Sequence, residues 1–424
     1  MSLLVSFTAL FLSIFLVQLG SGSLGPLDAL AASARGFTTA DIGLMGSAHF
    51  VGFFLGCWLA PRYIGRVGHS RAFAAAAAIG ATGALLHPVL EGPLLWAGLR
   101  LCTGIAIASA YTVVESWLQA KTPNEMRGRI FSVYRLVDMG SQIVAQGMIA
   151  VLDPASYVAY NIVAVFCCLC LLPLMLTRRV PPTAPGTPRL RPLKALRLSP
   201  TACIGIVVAG ATGSAFRMVG PLYAIETGLD ALQIALFLSA AVIGGMAAQY
   251  PVGWIADKID RRRVLVAISG LAIVTCLGLV VWMDPAAPSS LFLGAFLFGL
   301  TSYPIYSVAA AYANDLAPED FVVELNASII FFFSVGAIVS PYLTAQLISA
   351  YGPAALFAFV AAAHLVLVVF TLYRMTRRSA AQPSQPYRYL PRTSMVLERL
   401  IGRGGEPEAP DPSGASQHKG RETP

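Results

Sequence analysis

Along the chain, apolar residues gather in blocks of about 18 to 25 positions, long enough to cross a hydrocarbon layer of about 30 Å as helices. Short polar or charged stretches separate them. Twelve such spans are predicted, near 4–31, 39–61, 71–89, 93–119, 130–152, 155–177, 200–226, 231–256, 263–284, 289–316, 325–350 and 353–374. Lipid offers backbone groups no partner, so each span must satisfy its own hydrogen bonds, and a helix does so. The pattern predicts an all-α, polytopic membrane protein.

Composition agrees. The 424 residues are 56% hydrophobic and 12% charged, against roughly 25% charged in soluble domains. A net charge of +8 could suggest a nucleic-acid partner, but its distribution argues otherwise. With the amino terminus inside, only Arg35, Arg100 and Arg217 of the 29 Lys and Arg fall outside the cytoplasmic side. That is the positive-inside asymmetry, which puts both termini in the cytoplasm. The opening stretch "MSLLVSFTALFLSIFLVQLG" has no basic n-region, so a cleaved signal peptide is not expected. All seven cysteines lie in apolar spans, which argues against a disulfide framework, and "FCCLC" (166–170) lacks zinc-site spacing. No metal or other cofactor is expected. There is no GxxxxGK[ST] stretch to hold ATP, so any driving force comes from a gradient.

The chain also repeats itself. Shifted by 192 positions, "GFTTADIGLMGSAHFVGFFLGCWLAPRYIGRVGHSR" (36–71) lies on "GLDALQIALFLSAAVIGGMAAQYPVGWIADKIDRRR" (228–263) without a gap. Shifted by 195, "GPLDA" (25–29) meets "GPLYA" (220–224), and Tyr111 meets Tyr306. Two bundles of six helices in the same orientation follow. The predicted organisation is an amino-terminal bundle over 1–177, a Pro- and Arg-rich cytoplasmic linker over 178–199, mostly non-helical, a second bundle over 200–374 and a largely disordered cytoplasmic tail over 375–424, with a short amphipathic stretch at 393–403. Parallel repeats of this kind are a plan used by secondary transporters, with the solute held between the halves near mid-membrane.

Two sixes of spans, charged strips after spans 2 and 8 and an arginine early in span 4 resemble the major facilitator superfamily. "GWIADKIDRRR" (253–263) is similar to its loop signature GxxaDrxgRR, with Gly253 and Asp257 in the fixed positions and Arg261 and Arg262 in the basic ones. The first-half copy departs from it, with Pro61 for the glycine and Gly65 for the acid, and keeps Arg66 and Arg71. "RLCTG" (100–104) matches the span-4 motif, and "ESWLQAKTPNEMRGR", "YPIYSVAAAYAND" and "YLPRTS" resemble the YcaD-like branch of bacterial permeases. The resemblance implies the major facilitator fold in a bacterial inner membrane. It implies that Asp257, Lys258, Arg261 and Arg262 act as a conformational latch, and that Arg100 takes part in proton coupling. The bland alternatives are that the strip only anchors the chain inside and that Arg100 snorkels outward.

Ionisable groups at membrane depth cost several kcal/mol unless paired or hydrated, so each is a functional candidate. Asp28 in span 1 is a candidate partner for Arg100. Glu115 lies fifteen residues beyond Arg100, about 22 Å along the helix, and either carries a proton or pairs with Arg127, Arg129 or Arg135. Arg135 and Asp138, at i and i+3, are expected to satisfy each other. Arg217 lies in a span weakened by Gly213, Gly220 and Pro221, and is the candidate for an anionic solute group or for pairing with Asp28. Tyr111 and Tyr306, with Tyr303 and Tyr312, are candidate cavity residues, while His49 and His364 read as satisfied core residues. The acidic loop 314–326 is expected to meet Arg127 or Arg129 when the inner side closes.

The function expected is secondary transport of a small organic solute by a monomer using alternating access, proton-coupled and in the direction of export. The proline-bearing span-5 motif of many exporters is absent from "MGSQIVAQGMIAVL" (139–152), which leaves import, uniport or a non-transporting receptor as alternatives. No recurring His/Asp/Ser set supports an enzyme.

Overall fold

The computed structural model describes residues 2–122, 126–176, 189–281 and 287–377, and the described residues contain no strand. Helix α1 (Ser2–Val17) passes through a π-helical turn (Gln18–Gly22) into α2 (Leu24–Ala34), forming one span. Next come α3 (Thr39–Val67), α4 (His69–Leu86), α5 (Pro93–Lys121) and α6 (Arg127–Val151). The sixth span is α7 (Tyr157–Leu169) followed by α8 (Leu171–Met175). Helix α7 stops where Pro173 would clash with the carbonyl of Leu169. A short α9 (Pro192–Leu198) lies in the stretch read as a mostly non-helical linker. The second half holds α10 (Pro200–Glu226), α11 (Ala231–Lys258), α12 (Arg261–Val281), α13 (Pro288–Ser302) with α14 (Ile305–Asp315), α15 (Val322–Tyr351) and α16 (Ala355–Arg377).

Among the described residues, ten spans are long and apolar enough to cross a membrane by length and composition. The remaining two long helices, α4 and α6, are less apolar and pack among them, α4 on α5 and α7, and α6 on α11. Two expectations shift. Helix α10 runs unbroken through Gly213, Gly220 and Pro221. The tenth span breaks instead between α13 and α14, at Pro304, which has no N–H to donate. The expected amphipathic stretch at 393–403 lies outside the described residues.

The repeat is legible in the backbone. A capping box of Thr38 with Asp41 opens α3, and one of Asp230 with Gln233 opens α11, 192 positions on. Gly36 and Gly228 precede them at φ 78° and 80°, a left-handed turn suited to glycine. Helices α3 and α5 cross so closely that a Cβ on Gly52 would meet the carbonyl oxygen of Leu101, and one on Gly104 that of His49. Helices α11 and α13 cross in the same way, Gly244 on the carbonyl of Phe296 and Gly299 on that of Ala241.

Between the halves, α3 packs on α15 and α11 on α6, while α2 packs on α10. The repeat turns the first pair into the second, which is the contact pattern of an approximate twofold axis along the bundle. One end of the bundle, the basic end, carries Arg62, Arg66, Arg71, Lys258 and Arg261–Arg263. The opposite end carries the loops 35–38 and 87–92.

These glycine crossings predict an asymmetric sensitivity to one methyl group. Gly52→Ala or Gly244→Ala should each cost about 1–3 kcal/mol and lower the melting temperature of the detergent-solubilised protein. Gly140→Ala, whose Cβ would meet nothing within 4 Å, should not lower it. Equal melting temperatures for all three variants would remove the crossings as the cause.

Candidate functional site: a polar cavity between the halves

A cavity of about 140 Å³ lies between the two halves, walled by α2, α3, α5, α6, α10 and α11 with the π-turn of the first span. The polar side chains in and behind its walls fall into three groups, of which the first reaches the cavity through Arg100 alone.

The first surrounds Asp28. The π-turn, a backbone irregularity that recurs at functional sites, re-aims the chain just before α2, and Ser23 ties it down by donating to the carbonyls of Leu19 and Gly20 at 2.8 Å each. Asp28 is 1% exposed. Tyr160 donates its hydroxyl to Asp28 Oδ1 at 2.9 Å. Oδ2 faces Arg100 Nη1 at 3.5 Å and His87 Nε2 at 3.3 Å. His87 stacks on Tyr160 with centroids 5.6 Å apart, and Trp96 stands edge-on to it at 5.1 Å. Arg100 itself lines the cavity and also contacts Met218 Sδ on α10 at 3.7 Å. The pairing of Asp28 is therefore with Arg100 and not with Arg217, the other partner considered for it. His87 escaped the sequence reading because it falls where a helix meets a loop. Its signal was the coincidence of an ionisable ring and the end of an apolar run.

The second group centres on Asp138 of α6. Tyr111 donates to its Oδ1 at 2.5 Å and Arg135 to its Oδ2 at 2.7 Å. Gln18 and Gln142 donate at 3.3 and 3.4 Å. All five line the cavity, as do Glu115 and Tyr134, whose hydroxyl donates to Glu115 Oε1 at 3.0 Å. The side chains of Arg127 and Arg129, the other partners considered for Glu115, lie outside what the structure describes.

The third group is on the facing wall. Arg217 of α10 is half-buried, lines the cavity, and makes no hydrogen bond or ion pair with any described residue. His49 lies on the same cavity with its Nδ1 buried and unbonded. His364 is elsewhere, bonded through Nε2 to Ser302 at 3.1 Å. Tyr303 lines the cavity, whereas Tyr306 packs edge-on against Phe333, centroids 5.6 Å apart, and is not among the lining residues.

At the basic end, Arg261 Nη2 meets Asp257 Oδ1 at 3.3 Å and Arg261 Nε meets Asp315 Oδ2 of α14 at 3.3 Å. Arg261 and Asp315 are 2% and 3% exposed. Asp315, in the acidic loop expected to meet Arg127 or Arg129, pairs here with Arg261 of its own half, and the side chains of Arg127 and Arg129 lie outside what the structure describes. Arg262 donates to Asp260 Oδ2 at 2.8 Å. Burial pushes the Asp260 carboxyl up, but the bonds and charge of Arg262, with Arg263 behind it, outweigh this and hold it below the usual carboxylate range. Lys258 lies over the Trp254 ring at 3.6 Å, and Gly253 is buried on α11. In the first-half copy, Arg66 and Arg71 are exposed and form no ion pair with described residues. The missing acid at Gly65 leaves them without a local anion.

The sequence model of the Major Facilitator Superfamily matches residues 10–320 and again 202–400. The chain belongs to the major facilitator superfamily. It is similar to an uncharacterised MFS-type transporter of Enterobacter sp. strain 638, 26% identical over 89% of this chain and 96% of the relative. It is equally similar to the YcaD transporter of Salmonella arizonae, itself uncharacterised, 27% identical over 90% and 97%. These relatives place the chain in the YcaD branch of the superfamily. Among solved structures, a point variant of the nucleoside transporter NupG superposes with a TM-score of 0.74 at 14% identity, covering 86% of this chain and 98% of that one. A bacterial homologue of the human lysosomal transporter Spinster, inward-facing and occupied, superposes at 0.71 and 13% identity, over 91% and 98%. At such identities the likeness is one of fold. Membership makes the chain a multi-pass bacterial membrane protein of a secondary-transporter family.

The Arg261–Asp315 pair predicts a difference between the two strips. Arg261→Met strands a buried carboxylate and should cost about 3–5 kcal/mol, read as a fall in the melting temperature of the purified protein. Arg66→Ala should stay within about 0.5 kcal/mol of the parent. Comparable losses in both would show that the buried pair is not what holds α12 to α14.

Proposed function

We propose that the chain is a proton-coupled transporter of small organic solutes bearing an anionic group, working as a monomer by alternating access. Residues 1–177 and 200–374 form the two moving bodies, the basic end faces the cytoplasm and both termini lie there. One observation carries the choice of solute. Arg100 has Asp28, and Arg135 has Asp138, but Arg217 faces the cavity with no counter-ion among the described residues. A guanidinium at membrane depth that lacks an acidic partner gains from an anion that enters the cavity beside it. Its planar fork suits a carboxylate or phosphate, which it holds through two parallel bonds.

Gln142 and Gln146 on α6, across the cavity, offer amides to the neutral part of such a solute. Asp28 with Arg100 is the coupling candidate, because a carboxylate between a guanidinium and an imidazole can exchange partners as it gains or loses a proton. Asp257, Lys258, Arg261 and Arg262 latch α11, α12 and α14 at the cytoplasmic side. The first-half strip, lacking its acid, leaves that latch one-sided.

The test is reconstitution into liposomes with an imposed pH gradient and an internal pH dye, challenged with a panel of carboxylates, organic phosphates, neutral solutes and amines. Proton movement should be evoked by anionic members. In Arg217→Gln the KM for such a solute should rise about ten- to a hundredfold, the loss of one charge-assisted bond of about 1.5–3 kcal/mol, and Arg217→Lys should recover part of it. A response confined to amines or neutral solutes, or an Arg217→Gln protein with unaltered KM, would refute the anionic assignment.

A further inference from the structure

The geometry around His87 points to a proton-binding site: we propose that His87 and Asp28 hold one exchangeable proton between them, and that its loss transfers Asp28 to Arg100. The site's role in coupling rests on the transport reading above, but the proton itself can be tested without transport.

The argument begins with the ring's other nitrogen. His87 Nδ1 lies 2.6 Å from the carbonyl oxygen of Gly83, one turn back on α4. A carbonyl can only accept, so Nδ1 carries a hydrogen; the tautomer is assigned by this bond. In a neutral ring Nε2 then bears a lone pair. Nε2 lies 3.3 Å from Asp28 Oδ2. Two acceptors would be pressed together in a site where His87 is 0% and Asp28 1% exposed. One additional proton, on Nε2 or on Oδ2, turns the repulsion into a hydrogen bond. The bond made is N–H or O–H, no other bond changes, and the proton is the sole species gained.

The charged and titratable groups facing the ring come from three elements and a loop. Asp28 is on α2, Arg100 on α5 and Tyr160 on α7, and Arg35 follows α2. Tyr160 donates to the other carboxylate oxygen, so it does not satisfy Oδ2. Arg100 Nη1 stands 3.5 Å from Oδ2. None of Asp28 Oδ2, His87 Nε2 and Arg100 Nη1 makes a hydrogen bond of acceptable geometry, although all three are buried. They are poised between two pairings. With the proton present, Oδ2 bonds to His87. Without it, Oδ2 closes on Arg100, whose other amino group touches Met218 on α10. The exchange therefore reaches the packing of α2 on α10, one of the contacts between the halves. Access comes from the end opposite the basic strip, where exposed Arg35 donates to the carbonyl of His87 at 3.4 Å and lies over Trp96 at 4.9 Å.

The experiment is a potentiometric proton titration of the full-length protein in lipid nanodiscs, comparing wild type with Asp28→Asn, His87→Gln and the double variant. Each single variant should lack the same one-proton step, and the double should lack one step as well. Single variants that titrate as wild type, or a double variant that loses two separate steps, would overturn the shared proton. Should a variant not fold, the nitrogen-15 spectrum of the wild-type histidines gives an independent reading, with His87 assigned through its ring contacts to Trp96 and Tyr160. A hydrogen on Nδ1 at every pH supports the site. The neutral form with its hydrogen on Nε2 alone overturns it. A His87→Gln protein that loses the step yet drives solute on a pH gradient as well as wild type would keep the proton site and remove its part in coupling.

Discussion

A charge buried in hydrocarbon must find its counterpart inside the protein, because lipid supplies none. That constraint orders the interior. Asp28 is surrounded by Arg100, His87 and Tyr160, Asp138 by Tyr111, Arg135 and two glutamines, and Asp315 by Arg261. Each cluster draws on helices far apart in sequence, so meeting the charge also fixes which helices are neighbours. The fold and the polar cavity are thus two aspects of one requirement. Arg217 is conspicuous because it lies outside this arrangement.

The duplicated architecture shows how few residues carry a helix crossing. Gly52 and Gly104 in one half, and Gly244 and Gly299 in the other, bring backbones together at equivalent points. Matching capping boxes start α3 and α11 at equivalent heights. The two strips at the basic end have diverged while the crossings have not. Close backbone approach tolerates no substitute for glycine, whereas a surface arginine without its acid still orients the chain by charge.

Much of this was legible in the chain itself. Apolar run lengths predicted the spans, the gapless shift of 192 predicted the repeat, and spacing alone paired Arg135 with Asp138. Arg100 with Asp28 followed from charge and height in the membrane. The helix breaks were harder. Prolines at 61, 221, 251 and 341 sit inside continuous helices, while those at 173 and 304 fall at breaks, so proline alone does not decide. Tertiary packing does. Tyr306, matched with Tyr111 through the repeat, faces a phenylalanine instead of the cavity, since a repeat conserves helix position better than side-chain surroundings. His87 was invisible for a related reason: its importance comes from Gly83, Asp28 and Tyr160 converging on it, and only one of those is near in sequence.

The bonds gathered on Asp138 have a consequence for how this protein can change. One carboxylate there accepts from the first span, from α5 and twice from α6. Groups sharing one acceptor are energetically coupled, so substitutions among them do not add. Once Asp138 is altered, later changes at Gln18, Tyr111 or Gln142 meet a different background and lose their former cost. The order in which mutations arrive would then decide which are tolerated, making this aspartate a point of strong epistasis in the lineage.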